Sequence, residues 1–178
     1  MTRIKLRRLW PLVGIGIVIL LWLCNFTFGA KLQKQYYFNL TNSVPIGIYK
    51  VVPGSTVGIG EYVVFDLPDR IANQIEGRSW YDRNIPLIKR VEGLPGDQFE
   101  IRNYGFFIND SYIGPVFQAD TAGLPLPQDH GVHTVRPGRF LPVAADIPNS
   151  FDGRYYGDVA TSQIRAIVKP IWVLKEGF

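Results

Sequence analysis

Apolar residues are laid out in two different ways along this chain of 178 residues. Residues 9–30 form an almost unbroken apolar run without a single charged side chain. Beyond residue 31 the pattern changes to short apolar stretches rich in Val, Ile, Tyr and Phe, separated by Gly, Pro, Asn and Asp. The first pattern predicts one helix of roughly 33 Å, long enough for the hydrocarbon core of a bilayer. The second is that of strands and turns, since β-branched and aromatic residues suit a half-buried pleated surface. Strands are expected at residues 48–52, 57–66, 87–91, 99–102, 106–108, 111–113, 140–143 and 164–174. Pro53-Gly54 and Pro95-Gly96 read as turns, and Asn109-Asp110 as the turn of a hairpin. Gly58 and Gly60 suggest a bulge or bend, and Pro170 has to sit at an edge or a bulge. Residues 67–84 are polar, with Ile71 and Ile75 at helical spacing, and read as a loop with one helical turn. Residues 114–137, rich in glycine and proline, read as a long surface loop. The sum is an all-β domain with irregular loops behind one N-terminal transmembrane helix.

Charge sharpens this division. The net charge is +4, yet Arg3, Lys5, Arg7, Arg8, Lys31 and Lys34 stand within the first 34 residues with no acid among them. That part carries +6 and the remainder 4 − 6 = −2. The basicity flanks the apolar run, and the body is mildly acidic, which argues against nucleic acid as a partner. Four basic residues before the run and two shortly after it place the N-terminus in the cytoplasm and the body across the membrane. A cleaved secretory signal is the alternative; Phe28 in Phe28-Gly29-Ala30 stands where a small residue is wanted, so an uncleaved anchor is the expectation. The divisions are then a cytoplasmic tail at 1–8, a transmembrane anchor at 9–30 and a β-rich domain at 31–178. The lone Cys24 allows no intramolecular disulfide and no thiolate metal cluster. His130 and His133 lack acidic or thiol companions in a metal-binding pattern, so neither metal nor cofactor is expected.

The candidate chemistry begins at Asn39-Leu40-Thr41-Asn42-Ser43-Val44-Pro45-Ile46-Gly47. Pro45 pushes Val44 towards an extended conformation, which sets Ser43 at a stiff turn with its hydroxyl exposed as a candidate nucleophile. Gly47 is expected to let a substrate backbone pass close by. Thr41, two residues before Ser43, lies on the same side of an extended chain and offers a hydroxyl to an oxyanion formed there. The base has to come from elsewhere. Lys89 lies on the apolar strand 87–91, and a lysine drawn into an apolar setting loses proton affinity, so its neutral amine can accept the serine proton. Ser43 follows the apolar run by 13 residues, which tethers it within roughly 45 Å of the bilayer. Its substrates are then expected to be membrane-bound or emerging from the membrane.

Three stretches taken in order resemble the successive boxes of the signal peptidase I family. They are Thr41-x-Ser43-x-Pro45, then Lys89-Arg90-Val91-x-Gly93-Leu94-Pro95-Gly96-Asp97, then Asn149-Ser150-Phe151-Asp152-Gly153-Arg154. The form Thr-x-Ser-x-Pro-x-Gly-x-Tyr behind a single anchor is most similar to the TraF-type branch, the conjugative-transfer peptidases. The resemblance implies a signal-peptidase-like β-rich domain in the periplasm, anchored in the inner membrane. It implies Ser43 as nucleophile, Lys89 as general base, and Thr41 with the Ser43 amide as the oxyanion hole. It further implies that Ser150 positions the lysine amine and that Asp152 and Arg154 hold the site together, a supporting ion pair ahead of a direct catalytic role. Ala144-Ala145-Asp146 stands where the family has Gly-Asp-Asn, so that part of the wall is expected to differ. The implied substrate is a membrane-associated pilin precursor, cleaved and then cyclised. A general signal peptidase and a non-catalytic β-domain scaffold of a secretion or conjugation system are the alternatives. Residues 67–84 are open to a substrate-facing role.

Overall fold

The computed structural model describes residues 10–24, 35–128 and 130–174. They fall into two compact units divided between Tyr37 and Phe38. In the first, helix α1 (Trp10–Cys24) exposes apolar side chains along its length, Val13, Val18, Leu21 and Trp22 among them. No helix among the described residues is long and apolar enough to cross a membrane. Residue 9 and residues 25–30 of the expected anchor lie outside the described residues.

The second unit is β-rich, and its first strand begins two residues before the division. Its strands are β1 (Tyr36–Asn39), β2 (Gly47–Val51), β3 (Tyr62–Phe65), β4 (Leu87–Gly93), β5 (Gln98–Arg102), β6 (Gly105–Ile108), β7 (Ser111–Pro115), β8 (Gly131–Thr134), β9 (Arg139–Val143), β10 (Val159–Ala160) and β11 (Ile164–Val173). They form a seven-stranded sheet in the order β1-β2-β11-β3-β4-β9-β10 and a four-stranded sheet in the order β7-β6-β5-β8. The small sheet is made of local hairpins. Both residues of the β6–β7 turn, Asn109 (φ 47°) and Asp110 (φ 63°), take the left-handed conformation that a two-residue hairpin of matching twist demands. The expected hairpin is there. The large sheet is held by β11, whose ten residues pair antiparallel with β2 on one side and β3 on the other. Pro170 is accommodated because the register shifts between Pro170 and Trp172, the bulge that a proline without an N–H requires.

Two loops carry more structure than expected. Within residues 67–84 a helix, α2 (Asp69–Ile75), forms two turns and not one. Ile71, Ala72 and Ile75 recur on one helical face, and burying all three in the core offsets what a seven-residue helix lacks on its own. Within residues 114–137 the stretch Gly131–Thr134 is strand β8, paired with β5; its side chains stay half or fully exposed, so no apolar alternation announces it. A third helix, α3 (Gly153–Tyr156), is a single turn. One core joins the elements: Val63, Phe65 and Ile167 of the large sheet, Phe99, Phe106 and Ile108 of the small one, and α2 and α3 pack in one apolar cluster.

The sheet order explains where Lys89 goes. It lies on β4, flanked by β3 and β9 and opposite Val63. Strand side chains alternate, so Lys89 shares a side with Leu87 and Val91, and Val91 belongs to the core. A charged-type side chain thus occupies a core-facing position in an interior strand.

Candidate active site

Asn39, which sequence reasoning passed over, organises the turn carrying Ser43. Its side chain is buried, and its Nδ2 donates to the carbonyls of Thr41 (2.7 Å), Val44 (2.8 Å) and Pro45 (3.2 Å). Its Oδ1 accepts from the Thr41 amide (3.2 Å) and from Thr41 Oγ1 (2.8 Å). An Asn five residues ahead of Val44 thereby ties the loop into one rigid piece, an extended relative of the Asx turn. The signal available in the sequence was the Asn39-x-Thr41 spacing, since short polar side chains bond to the backbone two residues on. The far end of the turn is fixed by Tyr49, whose hydroxyl donates to the Pro45 carbonyl at 2.6 Å from a fully buried ring.

Gly47 has a different use from the one expected. A Cβ there would lie 2.1 Å from the Trp172 carbonyl oxygen and 2.8 Å from Val173 Cα. The missing side chain makes room for β11 and not for a passing substrate.

Thr41 Oγ1 lies 3.2 Å from Ser43 Oγ. Because Thr41 gives its proton to Asn39, the Ser43 hydroxyl is the donor between the two in this arrangement. The Ser43 amide makes no hydrogen bond within the described residues, which leaves it open to an incoming oxyanion.

Lys89 is 3% exposed, and its Nζ donates to Ser150 Oγ at 2.7 Å. Burial pulls its pKa from 10.5 down to about 8; the charge of Asp152 works against that fall and the charge of Arg154 with it. At pH 7 roughly a tenth of the amine is then neutral, far more than an unburied lysine holds. Lys89, Ser150, Thr41 and Ser43 line one cavity of about 540 Å³. No direct hydrogen bond joins Ser43 to Lys89 among the described contacts; such bonds are often long in a site without substrate and close when it binds.

Asp152 and Arg154 form a pair with no solvent exposure at either side chain. Asp152 accepts from Arg154 Nε and Nη2, both at 2.9 Å, and from the amides of Arg154 (3.1 Å) and Ala144 (2.9 Å). Arg154 also donates to the carbonyls of Pro115, Ala144, Ile147, Pro148 and Ser150. Burial opposes its charge, but the hydrogen bonds and charge of Asp152 prevail and raise its pKa. The pair fastens residues 144–150 to β7 and fixes the backbone of Ser150, which in turn holds Lys89. Asp152 makes no hydrogen bond to either Ser43 or Lys89, so the geometry fits the supporting role. Gly153 lets the pair sit against the sheet, since a Cβ would come within 2.7 Å of the Pro142 carbonyl.

The sequence model of the family described as signal peptidase, peptidase S26, matches residues 6–173. The chain belongs to this family. Among its relatives, a plasmid transfer protein TraF from Escherichia coli is 28% identical over 96% of this chain and 98% of its own length. A conjugal transfer protein TraF from Agrobacterium tumefaciens (strain 15955) is 31% identical over 80% of this chain and 85% of its own. A probable signal peptidase I-2 from Synechocystis sp. (strain ATCC 27184 / PCC 6803 / Kazusa) is 27% identical over 62% of this chain and 46% of its own. A solved signal peptidase I from Enterococcus faecalis V583 aligns over 65% of this chain and 98% of its own, at 19% identity and a TM-score of 0.40. The resemblance drawn from the three boxes therefore holds. In this signal peptidase family member those boxes meet in space, at the Ser43 turn, on β4 and at the entry to α3.

Proposed function

We propose that this chain is a membrane-anchored serine endopeptidase that works through a Ser43/Lys89 dyad on a pilin or other precursor protein held at the membrane. The observation that carries the proposal is a lysine amine, buried and gripped by Ser150, opening into the same cavity as a serine on a rigid turn. The apolar run with its basic flank supports anchoring in the inner membrane with the body in the periplasm, and the conjugal and plasmid transfer relatives support a conjugation setting.

In acylation, Ser43 Oγ bonds to the scissile carbonyl carbon while its proton passes to neutral Lys89 Nζ. The oxyanion is met by the Ser43 N–H and by Thr41 Oγ1, which must first turn its proton away from Asn39. Collapse breaks the C–N bond, and the proton on Lys89 leaves with the departing amine. The ester is then attacked by water or by the substrate's own N-terminal amine, with Lys89 again taking the proton and returning it to Ser43. Amine attack closes the product into a ring and requires that water be kept out and the amine held close.

Intact-mass analysis of the candidate pilin, produced with the chain and with its Ser43→Ala variant, tests the proposal. A shortened product lighter by one further water, made only by the parent, is the expected result. A shortened linear product refutes ring closure alone. Cleavage of ordinary secretory precursors with the pilin untouched favours a general signal peptidase. Pilus production that survives both Ser43→Ala and Lys89→Ala sinks the enzymatic account and leaves a scaffold.

A further inference from the structure

The cavity shared by Ser43 and Lys89 extends well beyond them, and its far wall is built from two loops that are distant in sequence. Asp120 joins them. Its Oδ2 accepts from Arg78 Nη1 at 2.6 Å and from the Trp80 indole at 3.2 Å, while its Oδ1 accepts from the amides of Ala122 and Leu124. Arg78 also donates to the Pro125 carbonyl at 2.7 Å, and both side chains of the ion pair are largely buried. The Phe117 amide donates to the Tyr155 hydroxyl at 3.2 Å, which ties the same loop to α3.

These ties place an aromatic wall beside the dyad. Trp80 lies 5.1 Å from Phe151, and Phe151 stacks on Tyr155 at 5.5 Å with ring planes 12° apart. Phe117, Leu87 and Leu126 complete it. Trp80 and Phe117 remain 40% and 43% exposed although their loops are fastened in place. Large apolar side chains held rigidly and left partly uncovered inside a concave site mark a ligand surface. The wall is continuous with the proposed nucleophile and base, so its occupant is the peptide being processed.

We propose that this clasped cleft is a specificity subsite that receives a bulky apolar side chain, aromatic or long aliphatic, of an extended substrate. This rests on the peptidase account above and adds the substrate class. A small side chain would leave most of the wall of Trp80, Tyr81, Phe117, Phe151 and Tyr155 uncovered, whereas a large apolar group covers it.

Binding measured without catalysis separates this inference from the chemistry. The probe is a series of fluorescent Ala/Ser hexapeptides with one Phe moved through every position, added to the full chain carrying Ser43→Ala in detergent. One register of Phe is expected to bind about tenfold or more tighter than the all-small peptide by fluorescence anisotropy. Adding Trp80→Ala should reduce that ratio to about threefold or less. Trp80→Phe, which keeps a ring and loses only the indole hydrogen bond to Asp120, should retain most of it and guards against a simple folding loss. Equal affinity at all positions, or a preference unchanged in Trp80→Ala, overturns the proposal. So does displacement of every peptide by a dodecyl-chain detergent monomer at concentrations where peptides show no preference, which would assign the cleft to an acyl chain. Failure of pilin cleavage with this preference intact would count against the dyad and not against the subsite.

Discussion

Replacing Lys89 with methionine should stabilise the folded body at neutral pH while abolishing catalysis. The lysine sits on the core side of an interior strand, and burial moves its pKa from 10.5 to about 8. At about 1.4 kcal/mol per pH unit, the fold carries a penalty of about 3 kcal/mol for a charged lysine there. Methionine has a similar length and no charge, so the penalty disappears. Ser150 Oγ loses its partner, which returns about 1 kcal/mol. The net gain is about 2 kcal/mol, or roughly 4–8 °C in Tm for a chain of this size. The pH dependence identifies the cause. Below about pH 8 lysine is charged in both states and the full penalty applies. Between about 8 and 10.5 the unfolded chain still binds the proton and the folded one does not, so raising the pH stabilises the parent. Above 10.5 neither state is charged and the penalty is gone. Differential scanning calorimetry of parent and Lys89→Met from pH 6.5 to 10.5 should therefore show a gap that is widest below pH 8 and closes with rising pH. A variant less stable than the parent at pH 7, or a gap that ignores pH, would refute the reasoning.

Other outcomes follow from the same geometry. Thr41→Val should lower kcat with little effect on KM, and Asn39→Ala, which also frees the Val44 and Pro45 carbonyls of the Ser43 turn, should lower kcat further in combination with it; a double variant no worse than Thr41→Val alone would show that Asn39 acts only through Thr41. Asp152→Ala strips a buried guanidinium of its partner and should cost about 3–5 kcal/mol in urea unfolding, whereas Ser150→Ala removes one hydrogen bond from the buried Lys89 amine and should lower kcat about tenfold or more at a smaller cost of about 1–3 kcal/mol. Gly47→Ala should unfold the β2–β11 pairing or shift it, seen as loss of hydrogen-exchange protection along β11, since its Cβ has no room against Trp172.

Much of this molecule was legible in the sequence wherever a residue's type alone fixes its surroundings. Strands whose side chains face the core, such as β4 and β9, announced themselves by apolar content. The left-handed Asn109-Asp110 turn announced itself by its polar turn residues. Strand β8 did not, because its partner β5 supplies the backbone bonds while its own side chains meet solvent. Helix α2 was hidden because its seven residues owe their stability to three buried side chains, a tertiary effect that local propensity does not carry. The site divides in the same way. Ser43 and Lys89 were suggested by the turn and the apolar strand around them and Thr41 by its spacing, while Ser150, Asp152 and Arg154 entered only through resemblance. Nothing local marks Lys89 as buried, since that depends on β3 and β9 lying on either side of β4. Asn39 was missed because an Asn before a loop is commonplace, and five hydrogen bonds to one turn become visible only in three dimensions. The clasp of Arg78, Trp80 and Asp120 joins residues 40 or more apart and leaves no trace in either segment alone.

The account depends on a neutral amine at position 89 drawing the proton from Ser43. Its most direct test is the pH dependence of Ser43 acylation in a single turnover with a peptide p-nitrophenyl ester, read by mass spectrometry of the acid-quenched chain. The account predicts an adduct on the tryptic peptide containing Ser43, with a rate that rises with pH, bends near pH 8 and vanishes in Lys89→Ala. An adduct on another residue, or a rate at Ser43 that is indifferent to Lys89 and still climbing at pH 10, would contradict it.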